Sequence, residues 1–359
     1  KRFRGLAQTM PIAATEFANI AELGGQLGID LDNLDTFSKT MAMMATATNM
    51  TSEQSAENFA RIANITGMTQ DKMENLGSAV VYLGNNYATS ESEISDMMLR
   101  LAAQTSLMGL TEGQALGLAT AMSSVGLNAE AGGSAMTRIL QRMNETGRGL
   151  SQLKTNLDDI FVGTQFNTQD LIDLFYMTPA DANKGFAAMS KETGLSVKHL
   201  KALGSQFVDF NYKLDEFGKV SGVSGKEFSK IFNQDPTKAI VMFLKGLKKI
   251  NDAGGDVSAT LQKMGINGIR EKDTIQRLTQ AAGLAEQAMI DGNQAFDENI
   301  ALSKEAELRY KDTASQMQVF KNNVNELAIQ LSEKLMPIFN DFLGRANDFV
   351  RGLGESNSD

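Results

Sequence analysis

Apolar positions along this chain recur at three- and four-residue steps, and runs of strict alternation are scarce. That spacing sets the apolar side chains of each segment on one helix face, so the pattern predicts an all-α protein. Between Thr36 and Thr48, for example, Phe37, Met41 and Met44 share a face. A start signal separates the segments: a Ser or Thr, usually behind an apolar residue, with Glu or Gln three places on. Thr51 with Gln54, Ser90 with Glu93, Thr111 with Gln114 and Ser224 with Glu227 have this capping-box spacing. Met68 with Met73, Leu195 with Leu200 and Val223 with Phe228 have the spacing of a hydrophobic staple. Pro236 behind Asp235 opens a further amphipathic helix, to Ile250. Helices that restart this often should fold back on themselves into compact multi-helix domains. One unbroken helix of 359 residues would instead reach about 540 Å.

The pattern divides the chain into three. Residues 1–146 form a first helical core domain, centred on the Ala-, Met- and Gly-rich stretch Ala88–Met143. Gly147-Arg148-Gly149 marks a boundary, and 147–302, richer in Phe and Tyr up to Tyr212, form a second helical domain. Over 303–359 the pattern changes to that of a coiled-coil-like helix and a tail. Tyr310, Met317, Val324 and Leu331 recur every seven residues, with Thr313, Phe320 and Leu327 three places after the first three. About three heptads of this kind make Tyr310, Met317, Phe320, Val324, Leu327 and Leu331 candidate self-association residues. One amphipathic helix lying on its own domain fits the same run. Pro337 should end or kink this helix, and the closing GESNSD reads as a linker start or disordered end. Residues 50–68 and 110–127 align at an offset of 60, with Thr51 on Thr111 and Gln54 on Gln114. A duplicated helical hairpin and shared cap chemistry both account for that likeness.

Charge and composition narrow the function. A net charge of −9 argues against coating duplex DNA, whose affinity for proteins rests on Lys and Arg. With no cysteine there is no disulfide framework and no thiolate metal site. The 20 methionines suit either ordinary helix cores or surfaces that repack. No secretory signal opens the chain, which starts at Lys1 and is expected to be an excerpt or a processed product.

Candidate chemistry is thin. The one histidine, His199, stands beside Lys198 and Lys201 with no acidic or thiol partner, which is a surface pattern. Ser221–Phe228 lacks the first Gly and the final Ser/Thr of a P-loop, and Asp209–Val220 lacks the Gly and the Glu of a calcium loop. Asp158-Asp159 and Asp170 with Asp173 offer paired carboxylates without a substrate-binding context. No catalytic residue, cofactor site or metal site is therefore assigned. Gly109, Gly113 and Gly117, four apart, would share a helix face open to a second backbone. Residues 107–127 carry one charge over about a bilayer's length, but their Thr and Ser content favours tight packing within a fold.

From about Ala21 to Met143 the text resembles the core region of phage tail tape measure proteins. AELGGQLGI at 21–29, Phe37–Ala60, LGNNYATSESEI at 83–94 and GLTEGQALGLATAMSSVGLNAEAGGSAMTRIL at 109–140 carry the likeness. Gly132-Gly133-Ser134-Ala135 before Arg138 is similar to that family's small-residue link between its last two core helices, a turn that allows close approach. MGINGIREKD at 264–273 and LSEKLMPIFNDFL at 331–343 follow in the family's order. The resemblance implies a structural, non-enzymatic role: a ruler and scaffold for tail-tube assembly, housed in the tube lumen and released when DNA is ejected. It further implies synthesis in the host cytoplasm, a homo-oligomer (trimer-like among the forms open to it), and partnership with tail-tube and tail-tip proteins and tail assembly chaperones. Specific nucleic-acid binding is not implied. Transient contact with a host membrane, through 107–127 and 335–350, is the alternative reading, and a cell-wall hydrolase a more distant one.

Overall fold

A computed structural model describes residues 2–355, with side-chain environments through Arg345. Lys1 and the end of the polar tail, Ser356–Asp359, lie outside the described residues, as do the side chains of the 335–350 segment beyond Arg345. Among the described residues all regular structure is helical. A short α1 (Arg2–Ala7) leads to α2 (Ala14–Gln26), α3 (Leu34–Ala47), α4 (Ser52–Thr66), α5 (Met73–Asn86), α6 (Glu91–Met108) and α7 (Glu112–Ser124). The long α8 (Ser134–Phe161) is followed by α9 (Thr168–Asp173), α10 (Pro179–Thr193), α11 (Val197–Ser221), α12 (Gly225–Gln234) and α13 (Pro236–Asp252). The chain closes with α14 (Val257–Lys263), α15 (Ile269–Gln280), α16 (Ala282–Glu298), α17 (Ala301–Tyr310) and α18 (Thr313–Glu355).

Local chemistry sets these boundaries. Thr51, Ser90 and Thr111 form reciprocal capping boxes with Gln54, Glu93 and Gln114 at the starts of α4, α6 and α7. Each such cap stabilises its helix by about 1 kcal/mol. Ser224 accepts from the Glu227 amide at 3.2 Å, and Asp235 accepts from the Lys238 amide at 2.9 Å ahead of Pro236. Gly67, Gly194 and Gly222 end α4, α10 and α11 in the left-handed conformation that glycine adopts without strain.

α7 is the hub of the body. Its residues Ala115–Ser123 are buried on every side, between α6 and α16, with α5 also against it. The main apolar cluster joins side chains from α1–α8 to others from α11–α17, from Ala7 to Ala306. A smaller cluster, with Leu157, Leu171, Leu174, Phe186, Met189 and Leu200, fills a lobe built from the C-terminal half of α8, α9, α10 and the start of α11. α8 and α11 each contribute to both clusters.

Gly147-Arg148-Gly149 lies inside α8, which runs on without a break. The glycines there make room for Phe232 and Phe210. Arg148 donates to the carbonyls of Leu107 and Met108 at 2.8 Å each, filling acceptors left open at the end of α6. Pro337 does not end its helix: α18 continues through it to Glu355. The Glu333 carbonyl loses its amide donor there, on a stretch of helix whose residues are all exposed.

Candidate interaction face

The start of α18 is fixed by Asp312, whose carboxylate accepts from the Ser315 amide at 2.7 Å. That hydrogen bond, foremost, holds the Asp312 carboxyl below its ordinary range. The turn at Lys311-Asp312 ends α17 at Tyr310. Tyr310 therefore leaves the expected seam and packs, partly buried, against the body. Its hydroxyl is buried without a partner, and burial pushes its pKa up.

α18 meets the body through polar groups. The amide nitrogen of Asn322 lies 2.9, 3.3 and 2.8 Å from the carbonyl oxygens of Ala7, Met10 and Ile12. Asn323 donates to the Gln8 carbonyl at 3.3 Å. Arg4 pairs with Glu326 at 3.4 Å and with Glu333 at 3.2 Å. The two Asn side chains thus bond carbonyls at and just beyond the end of α1, and Asn322 is buried there.

Apart from Val319 and Ile329 on the body side, the apolar residues of the helix are elsewhere. Met317, Phe320, Val324, Leu327 and Leu331 are exposed, Phe320 to 63%. At about 100° per residue they occupy an arc of about 80° centred opposite Asn322. Leu335, Met336, Ile338, Phe339, Phe342 and Leu343 are exposed as well. From Leu327 to Arg345 every residue is exposed, and the Arg4–Glu333 pair is the last named contact of α18 with the body. A contiguous exposed apolar stripe of this kind is a candidate interaction surface.

The candidate packing glycines separate into kinds. A Cβ on Gly113 would lie 2.5 Å from Cα of Asn293, and one on Gly117 would meet the Ala288 carbonyl and Cα of Met289. On the facing helix, a Cβ on Gly292 would strike the Gly113 carbonyl. α7 and α16 thus cross with backbones in contact. Gly109 does not share that face: it ends α6 at φ +85° with open space around it, and α7 starts afresh at the Thr111 cap. Gly132 and Gly133 are not free turn residues either. They sit in a wide, π-type helical turn, Ala129–Gly133, where Cβ atoms would lie 2.9 Å from Leu127 and 3.0 Å from Arg100. The left-handed residue of that link is Gly126, φ +75°.

Several tying contacts gave no sequence signal. Arg138 pairs at 2.8 Å with Glu271, which is buried and also accepts from the Gly268 amide. Asn75 donates to the Phe296 carbonyl at 2.7 Å, and the Tyr87 hydroxyl to Asp291 at 2.6 Å. Burial, then the Asp291 bond, drives the Tyr87 pKa up. His199 is exposed with Nδ1 3.1 Å from the Ser196 hydroxyl. Asp158 is bonded to Lys154 and Thr168, which lower its pKa in that order, and Asp170 caps the start of α9 at Asn167. Among the described residues, no three His, Asp or Glu are placed to hold a metal ion. Among the described residues no helix is long and apolar enough to cross a membrane.

Comparison with known proteins places this geometry in context. The profile of a family described as phage-related minor tail protein matches residues 1–254. A probable tape measure protein of Halomonas phage phiHAP-1 is 23% identical over 142 residues, covering 37% of this chain and 16% of the relative. The chain thus matches about one sixth of that relative's length.

Proposed function

The chain belongs to the phage-related minor tail protein family, and from that membership we propose that it is the folded section of a tape measure. In this reading it does no chemistry. It organises polymerisation of the tail tube, and the length of the protein that carries it fixes tail length. It sits in the tube lumen after synthesis in the host cytoplasm and leaves on DNA ejection. Its partners are copies of itself, tail-tube and tail-tip proteins and the assembly chaperones.

The observation that supports the self-association is the exposed stripe on α18, Met317, Phe320, Val324, Leu327 and Leu331. Leaving five large apolar side chains in water costs about 1.5–3 kcal/mol each relative to burial. The compact body, by contrast, is a poor measuring rod, since helix length per residue is lost each time the chain turns back. A second reading, in which the stripe meets a lipid surface, draws on the density of apolar residues at Leu335–Leu343.

The experiment is genetic. A phage lacking the gene should yield heads without tails, and the intact gene supplied in trans should restore tails while a version carrying V324D and L327D does not. Normal tails with the double variant would remove the stripe from assembly. Normal tails without the gene would remove the tail role itself.

A further inference from the structure

We propose that the loop between α14 and α15, with the faces of α8 and α11 beside it, docks an acidic polypeptide segment through a carboxylate cradle between Arg142 and Lys213. No residue of α18 takes part, so this surface is separate from the copy–copy contact above. The first observation is a convergence of cations. A Cβ on Gly265 would lie 3.4 Å from Nη1 of Arg142 and 3.8 Å from Nζ of Lys213. The two nitrogens are therefore no more than about 7 Å apart, across a glycine held at φ +79°. Two charge-assisted bonds of about 2.8 Å and the width of one carboxylate fill that gap.

The second observation is where the neighbouring acids go. Glu271 pairs with Arg138, Glu216 with Lys263 and Asp273 with Arg277. Glu145, one turn beyond Arg142, accepts from Gln141 at 2.8 Å. Lys213 holds Asp209, but an ammonium has three donors and can take a second acceptor. Among the described residues Arg142, Arg270 and Lys272 pair with no carboxylate. Residues 213–277 hold twelve Lys and Arg against eight Asp and Glu, in a chain whose net charge is −9. A local positive excess on an acidic chain draws an acidic partner to this side.

The third observation is apolar. Ile269, 87% exposed, is the most exposed large apolar side chain among the described residues. It stands beside Arg270 at a cleft of about 350 Å³ whose other wall includes Leu127, Asn128 and Ala131. Four residues separate Gly265 from Ile269, at most about 14 Å of chain. A short extended segment therefore reaches both the cradle and the cleft. Acidic and apolar side chains on one polypeptide satisfy the two features together. A phosphate backbone would use the cations and leave Ile269 in water, and the net charge of −9 repels a long polyanion.

Fluorescence anisotropy with the full chain at low salt tests this. A labelled peptide of glutamate pairs separated by single leucines should bind, and R142Q and R270Q should each weaken it at least fivefold. K184Q/K191Q, which removes two exposed lysines of α10, should change it less than twofold. An equal loss there would reduce the site to net charge and overturn it. I269S should weaken the glutamate–leucine peptide at least threefold and leave polyglutamate unchanged; equal effects on the two would contradict the apolar contact that selects a polypeptide. Oligothymidylate bound as tightly as the peptide, or no binding of any probe, also overturns the proposal. Gly265 supplies a test that needs no partner. Asn and Asp both accept the left-handed backbone, so G265N and G265D fill the cradle alike, and only G265D brings a carboxylate. Both should lower peptide affinity at least tenfold, and G265D should melt several degrees above G265N. Equal melting would show that Arg142 and Lys213 do not hold a carboxylate. Failure of this site leaves the stripe on α18 and the tail role untouched, since their tests use other residues.

Discussion

Asn322 and Val324 stand two residues apart on α18 and face opposite ways. The Asn322 amide is buried among three carbonyl oxygens of the N-terminal segment, and Val324 is 47% exposed. The usual arrangement, apolar side inward and polar side to water, is reversed at this joint. The reversal is stable because each side of the clasp needs the other: a buried amide requires acceptors, and helix-end carbonyls require donors. The apolar face is left exposed.

The crossing of α7 and α16 should be intolerant of a single methyl group. G117A has to push a Cβ into backbone, so denaturant unfolding should show a loss of about 2–3 kcal/mol or more. G109A, in open space but at positive φ, should lose only about 1–2 kcal/mol. G283A lies in the same helix as Gly292 with nothing near it and should be neutral or stabilising by up to about 1 kcal/mol. Equal losses for G117A and G109A would show that the helices can part at little cost.

Glu271 is buried while Arg138 is half exposed. R138M should therefore strand a carboxylate whose remaining named partner is the Gly268 amide. A loss of about 2 kcal/mol is expected, the value of a hydrogen bond to a charged group in a partly solvated setting. Adding E271Q should recover part of it, because the neutral amide costs less to bury. No recovery would mean that Arg138 acts by packing alone.

Glu93 provides the pH test. Its bonds to the Ser90 hydroxyl, then to the Ser90 amide, hold its carboxyl below the ordinary 4.5. A depressed carboxylate contributes stability that is present above its unfolded pKa and is lost as pH falls through the folded one. Thermal melts should show the wild type ahead of E93Q near neutrality, with the gap closing below about pH 4.5. A gap that is constant down to pH 2.5 would contradict the cap's ionic character.

The lobe around Leu171 has its own cluster and joins the body through α8 and α11. L171A should destabilise it by about 2–5 kcal/mol. Hydrogen exchange should then quicken in α9 and α10 while α7 amides stay protected. Uniform acceleration in both regions would show one cooperative unit.

The helical architecture was legible because it is written locally. The caps at Thr51, Ser90, Thr111 and Asp235 lie within four residues of the amides they satisfy, and the helix between Pro236 and Ile250 needed no distant information. The stripe on α18 was legible for the same reason. What the sequence withheld is long-range. Gly113 and Gly117 announced a close approach but not its partner, Gly292, which lies in a helix far along the chain. Gly109 looked equivalent to them because spacing alone does not show that a cap at Thr111 restarts the helix. Tyr310 fitted the heptad count, yet the Asp312 cap two residues on breaks the helix between Tyr310 and the rest. Asn322 gave no signal at all, since an Asn opposite an apolar stripe reads as solvated until α1 is placed beside it.

The central claim is that copies meet through the outward face of α18, and mass in solution tests it most directly. Sedimentation equilibrium of the intact chain at micromolar concentration should give a multiple of the 38.9 kDa of one chain. The V324D/L327D variant should give 38.9 kDa with an unchanged helical circular dichroism spectrum. A wild-type mass of one chain, or a double variant as large as the wild type, would contradict the account.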